Sequence, residues 1–340
     1  MTKTTVIENP IINSPFAEPA RREVQRPLHP GVTSSAKVST MNFKRIEPRL
    51  IIGSSEDARL LAPDLIGAAA LAVTSPPYHN AISYESHQED REANYRTRAQ
   101  IDYAEDYLAL MDRVWTECWH LLRPGAYLAV NVGTVLDGGV HFPLPQDIED
   151  QLVHARVEWN YVRSILWNKV TAGVKRAGSV IQHRLPGYWY PNIMSEHIIL
   201  VQKPGGSGVQ NHDVPPEWWQ NIWDLAPVPP RTIDHPAPFP EDLPHRLIRM
   251  LTAPGDVVVD PFNGAGSTTK AAFDLGRAGV GFDLSAQYAE YAARRAEGAT
   301  GVRPMQLTVV PVKASDFVPG KSKGRTRHGA GLATRRGSSS

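Results

Sequence analysis

The chain has 340 residues, with 36 Lys or Arg against 35 Asp or Glu, so its formal charge at neutral pH is +1. That balance gives no bulk attraction for a polyanion, and any nucleic-acid surface must come from local clusters. One cysteine, Cys118, excludes a disulfide framework within the chain and a zinc site built from several cysteines, and no apolar run is long enough for a membrane span or a secretory signal. The expectation is one large α/β domain with additions, in a cytoplasmic protein.

Residues 1–40 mix Pro, Ser, Thr and charge without periodicity and read as an extension outside the fold. Leu50 to Gly53 predict a strand, and Ser54-Ser55 open a turn or helix expected to hold Leu60 and Leu61 inward. Leu71-Ala72-Val73 reads as a buried strand that stops at Thr74-Ser75-Pro76-Pro77-Tyr78. Pro77 drives Pro76, and Pro76 drives Ser75, towards extended dihedrals, and neither proline has an N–H. Carbonyl oxygens are then left facing out of a stiff loop beside the Ser75 hydroxyl. An exocyclic amino group on a nucleobase carries two N–H donors, so two such acceptors would hold it and localise its lone pair. Tyr78 adds a flat surface for the base, where stacking contributes roughly 1–3 kcal/mol in single-strand binders. Alone, Pro-Pro after a strand is more often only a turn.

Residues 79–102 are polar and charged, with Arg91, Arg96 and Arg98, and read either as a solvated loop or as a segment that closes over nucleic acid with arginines on phosphates. Tyr103 to Leu122 predict a helix whose apolar face carries Tyr107, Met111, Val114, Trp115, Cys118 and Leu121. Arg123-Pro124-Gly125 reads as a turn, Ala126 to Val132 as a strand ending in Asn131 and Gly133, Gly138-Gly139 as a loop and Asp147 to Val153 as a helix. Strands are expected at Arg163–Trp167 and Glu196–Val201. Between them a basic stretch with Lys169, Lys175, Arg176 and Arg184 among glycines suits phosphate contact. Pro204 to Pro230 breaks the periodicity, and Trp218, Trp219 and Trp223 read as a satellite core or as part of a recognition insert. Glu241 to Leu251 is a helix with Leu243, Leu247, Ile248 and Leu251 inward, stopped by Pro254-Gly255.

The β-branched run Asp256 to Val259, the stretch Asp260-Pro261-Phe262-Asn263-Gly264-Ala265-Gly266 and the segment Ser267 to Leu275 read as strand, tight loop and helix. A further strand, Gly279 to Phe282, ends in Asp283, 19 residues after Gly264 (283 − 264). That is the spacing at which a carboxylate reaches a ribose hydroxyl. Thr269 stands where a dinucleotide fingerprint has its third glycine, so the loop suits a nucleoside without a pyrophosphate. A helix follows at Ala286 to Arg295, and residues 301–340 read as a flexible basic tail, either merely solvated or a non-specific phosphate binder.

Taken in order, these motifs resemble the amino-group DNA methyltransferases of the permuted, beta class, in which the catalytic motif precedes the S-adenosylmethionine motif. Thr74-Ser75-Pro76-Pro77-Tyr78 resembles the family's Ser-Pro-Pro-Tyr, and Asp260 to Gly266 its Asp-Pro-Phe-x-Gly-x-Gly. His235-Pro236-Ala237-Pro238-Phe239-Pro240-Glu241-Asp242-Leu243 is similar to the segment that helps enclose the methyl donor. The resemblance runs from about Arg49 to Glu297; it departs at Gly53-Ser54, where the family commonly has Gly-Asp. It implies a doubly wound, mostly parallel seven-stranded sheet of the Rossmann-like class I methyltransferase type. The catalytic domain would span 41–300, with recognition insertions near 79–102, 168–190 and 204–234.

The resemblance further implies S-adenosylmethionine as donor and double-stranded DNA as partner, with the target base flipped out of the stack. Ser75, Pro76, Pro77 and Tyr78 would be catalytic. Thr74, His235, Pro236, Phe239, Asp260, Pro261, Phe262, Gly264, Gly266, Ser267, Thr268 and Asp283 would bind the donor, and Arg91, Arg96, Arg98, Lys169, Lys175, Arg176 and Arg184 the DNA, with no metal. Serine at the head of the motif favours N4 of cytosine over N6 of adenine. Methylation at carbon 5 would need an exposed thiolate, which a helical, inward Cys118 does not offer. N6-adenine transfer, an RNA or protein-amide substrate and a non-catalytic DNA-binding module are the alternatives. A cytoplasmic, DNA-associated bacterial or archaeal enzyme is implied, as monomer or homodimer, with a cognate restriction endonuclease open as a partner. All of this requires Ser75 and Gly264, 189 positions apart (264 − 75), to fold side by side.

Overall fold

A computed structural model describes residues 46–77, 103–137, 140–170, 193–229, 232, 239–298 and 308–311. In chain order its strands are β1 (Arg49–Ile52), β2 (Ala69–Thr74), β3 (Leu122–Val132), β4 (Val135–Asp137), β5 (Val140–Phe142), β6 (Asn160–Lys169), β7 (Ser195–Gln202), β8 (Ile222–Leu225), β9 (Val257–Asp260), β10 (Ala278–Asp283) and β11 (Thr308–Pro311). β4 and β5 form a separate hairpin. The other nine make one central sheet, in the order β11-β1-β10-β9-β2-β3-β7-β6-β8. Only β7 runs antiparallel to its neighbours, β3 and β6; every other pairing in that sheet is parallel. The seven expected strands are those lying between the two edges, and β11 and β8 are added outside them.

Strands buried on both faces need near-continuous apolar sequence, and β2 and β9 meet that need, being buried at every position. After β1 comes a single helical turn, α1 (Ala58–Leu61). On one face of the sheet, α2 (Ala109–Leu121) and α3 (Leu144–Val153) cover Ala72, Leu128, Val130 and Val259. On the other, α4 (Asp242–Leu251) and α5 (Ser267–Asp274) cover Leu71, Val73, Ala129 and Val258. In α4 the residues Leu243, Leu247, Ile248 and Leu251 all face this core; each such burial stabilises by about 1.5–3 kcal/mol. A last helix, α6 (Ala286–Glu297), lays an alanine face on Leu50. Among the described residues no helix is long and apolar enough to cross a membrane.

Several local expectations change. The helix before Leu122 opens with a π-helical turn, Tyr103–Leu108, and Cys118 is buried on its inner face as expected. Arg123-Pro124-Gly125 is a bulge inside β3 rather than a free turn: Ala69 pairs with Leu122, but Leu71 already pairs with Tyr127. The corner is closed by Lys203, whose ammonium donates to the Trp119 and Leu122 carbonyls at 2.7 Å each. Leu60 points outward, 70% exposed, because α1 is too short to present a full face and inserts Ala58 instead. The tryptophan-rich stretch packs on the sheet: Trp223 is fully buried in β8, and Trp218 and Trp219 lie against the same core. Within the expected tail, Thr308–Pro311 pairs with β1.

Candidate active site

Strand order reverses at β9, which has β10 on one side and β2 on the other, and a crevice outside the carboxyl ends of such strands is where open α/β sheets bind ligands. The two stretches that had to meet do so here. Thr74, the last residue of β2, donates its hydroxyl to Asp260 Oδ1 at 2.7 Å, and Asp260 is the last residue of β9. The same oxygen accepts the Phe262 N–H at 3.0 Å, so one carboxylate fixes both the Ser-Pro-Pro turn and the start of the glycine loop. Thr268, in the first turn of α5, adds a hydrogen bond to the Val73 carbonyl at 3.3 Å. Asp260 has no exposed surface and its Oδ2 has no hydrogen-bond partner. Burial pushes its carboxyl up to about 6, although the neighbouring Thr268 and Thr74 hydroxyls and the Phe262 amide pull the other way.

The glycine loop is shaped by its own fold. Gly264 and Gly266 both have positive φ, 47° and 81°. A Cβ at Gly266 would stand 2.6 Å from the Ala292 Cβ, so α6 packing demands that glycine. At the end of β10, Asp283 accepts the Gly264 N–H at 2.8 Å through one oxygen and the Ser285 N–H at 2.8 Å through the other. Burial raises its pKa and these two amides oppose that. Each oxygen keeps a second acceptor position, which suits a ribose diol. From α6, Arg295 donates to the Ala265 carbonyl at 2.9 Å and pairs with Glu241 just before α4, and Glu241 also accepts from Lys270 at 2.9 Å. Burial alone would raise the Glu241 carboxyl, but Lys270 and Arg295 hold it below the usual range. Ser267 donates to the Phe239 carbonyl at 3.3 Å, tying the segment before α4 to the loop.

Ser75 and Pro77 are partly exposed at the crevice, with Pro76 buried between them. Phe239, Phe262, Gly264 and Asp283 are partly accessible around it, whereas Pro261, Gly266 and Ser267 are buried. Thr74, Asp260 and Thr268 have no exposed surface. They tie the two loops together through the Thr74–Asp260 and Thr268–Val73 hydrogen bonds. Lys169 is 6% exposed, ion-paired with Glu196 and 4.8 Å from the Trp167 ring centroid. Tyr78, Arg91, Arg96, Arg98, Lys175, Arg176, Arg184, His235 and Pro236 lie outside the described residues. Sequence reasoning gave no role to Asn131, Glu196 or Arg295; for Asn131 the visible signal was a polar residue near the end of an otherwise apolar strand. No cluster that could hold a metal ion occurs among the described residues.

A mostly parallel sheet with a glycine loop at its switch point and a Ser-Pro-Pro turn on the adjoining strand defines a Rossmann-like class I methyltransferase. The family of N6/N4 methyltransferases, described as DNA methylase, matches residues 69–294, and the chain belongs to that family. It is 27% identical over 274 residues to the type II beta methyltransferase M.BslI of Bacillus sp. (strain NEB-606), a match covering 74% of this chain and 28% of that protein. The chain thus spans little more than a quarter of that relative's length. Among solved structures it resembles TTHA0409 of Thermus thermophilus, with a TM-score of 0.57 and 30% identity, over 78% of this chain and 100% of that one. The cytosine-N4-specific PvuII DNA methyltransferase shares the fold at 18% identity, with a TM-score of 0.57 over 76% of this chain and 90% of that one.

Proposed function

We propose that the chain transfers a methyl group from S-adenosylmethionine to the N4 amino group of cytosine in double-stranded DNA, at a base flipped out of the helix. The observation that carries this is the Thr74–Asp260 hydrogen bond, which ties the Ser-Pro-Pro turn to the head of the glycine loop. The loop fits the donor. Asp283 presents two carboxylate oxygens beside Gly264, Phe262 and Phe239 remain partly accessible, and TTHA0409 has been solved in complex with S-adenosyl-L-methionine. When bound, the donor supplies a methyl group already activated on a sulfonium.

The protein's own part is positioning. The Ser75 hydroxyl oxygen and the Pro76 carbonyl accept the two amino hydrogens, which draws the nitrogen lone pair out of the ring and aims it at the donor side of the crevice. Tyr78 stacks on the base, and the arginines of residues 79–102 with Lys175, Arg176 and Arg184 hold phosphates. Serine at position 75 favours cytosine; N6 of adenine is the second reading, supported by family membership alone. Nucleoside analysis of duplex DNA treated with the pure protein and labelled donor decides between them: N4-methylcytosine is expected, and N6-methyladenine alone would reverse the choice. Ser75→Ala should lose at least about 100-fold in turnover while donor affinity is kept, since it removes an interaction made with the reacting group.

A further inference from the structure

We infer that Asn131 is a positioning residue of the methyl-transfer site, holding the Ser75 hydroxyl in the orientation that leaves its lone pairs free for the substrate amino group; this rests on the role of Ser75 proposed above. Strand register sets Thr74 beside Val130, so Ser75 and Asn131 are the next residues on adjacent parallel strands, where the spacing is about 4.8 Å. Val73 and Ala129, two residues before each, belong to the same core, so Ser75 and Asn131 continue one face of the sheet.

The Asn131 amide has only one way round. Its Nδ2 donates to Glu196 Oε2 at 2.6 Å, and because a carboxylate only accepts, Oδ1 must be the free end. That oxygen is buried and has no hydrogen-bond partner, in a residue only 1% exposed. A buried acceptor left unmade is costly unless the working state brings a donor to it. No hydrogen bond joins the Ser75 hydroxyl to that oxygen in the structure, so the contact proposed is one the working state forms. A hydroxyl has one hydrogen and two lone pairs, so to accept from an amino N–H it must send its own hydrogen elsewhere. Asn131 Oδ1 is the acceptor one strand away. Lys169 completes the device by neutralising Glu196, which would otherwise be an isolated buried carboxylate. The ion pair therefore helps set the amide.

The test is a double-mutant cycle on Ser75→Ala and Asn131→Ala, read as turnover on duplex DNA with labelled donor, alongside calorimetric donor binding by each variant. Asn131→Ala should lower kcat by at least about tenfold with donor affinity within about twofold of wild type. The double variant should be no slower than Ser75→Ala, because the amide acts through a hydroxyl already removed. Multiplying losses, or full turnover in Asn131→Ala, would overturn the inference. Asn131→Asp loses the amide N–H that orients the side chain and sets a second carboxylate against Glu196, so its turnover should fall as well. Wild-type turnover in Asn131→Asp would equally sink it. A wild-type chain that binds donor yet methylates no DNA would remove the reading beneath it, which is a different failure.

Discussion

At the scale of single residues, Asp260 shows how a buried charge is kept where it is useful. Its carboxyl is raised from the ordinary aspartate range to about 6 because burial outweighs the hydrogen bonds from Thr268, Thr74 and Phe262. The folded protein thus binds this proton more tightly than the unfolded chain does. The stabilisation from the neutral acid is complete below the unfolded pKa of about 4 and is lost as pH rises through about 6, a difference on the order of 3 kcal/mol. Asp260→Asn should remove that slope. Urea unfolding at about pH 4.5 and about pH 7 is expected to show a smaller loss of stability on raising the pH for the variant than for wild type. Equal losses would mean the carboxyl is neutral or ionised throughout. The ionised form, with Thr74 and Phe262 both donating to it, is the better strut between the loops, so the cost at neutral pH is borne at a residue that joins them.

At the scale of elements, the glycine loop and α5 depend on α6 as much as on any ligand. Gly266 caps α5 at φ 81°, a conformation that costs an L-residue roughly 1–2 kcal/mol, and a methyl group there would meet Ala292 at 2.6 Å. Overpacking of that kind adds roughly 1–3 kcal/mol. Gly266→Ala is therefore expected to destabilise the protein by about 2–5 kcal/mol and to weaken donor binding, because relief can come only from moving α6 or the loop. A thermal melt lowered by less than a degree, with donor affinity intact, would show that the helix simply shifts. Arg295, from the last turns of α6, fixes the same loop from the other end through the Ala265 carbonyl. An alanine-faced helix that reads in sequence as plain packing is thus also the support of the donor loop.

At the scale of the whole molecule, the central strands and both loops could be read from the chain, because β2 and β9 are continuous apolar runs bounded by prolines or glycines. The edges could not. β8, Ile222-Trp223-Asp224-Leu225, is four residues in a proline-broken stretch, and β11 is four residues in front of a basic segment; runs so short have no decisive period. The burial of Lys169 was equally illegible, since its partner Glu196 stands 27 positions away on another strand. The edge has a consequence of its own. β11 covers the outer side of β1, whose Leu50 and Ile51 are each 1% exposed and whose N–H and C=O groups would otherwise form an open edge. Open apolar edges pair with other chains. Deleting residues 299–340 should lower the melting temperature and produce association visible by light scattering, whereas deleting 312–340 leaves β11 paired and should produce neither. Because β1 stands between β11 and the ends of β10 and β9 that carry Asp283 and the glycine loop, the monomeric fraction of the longer deletion should retain donor binding. If both deletions associate equally, the protection comes from residues beyond the strand; if neither does, β1 is guarded by its own brevity, at four residues, rather than by a partner.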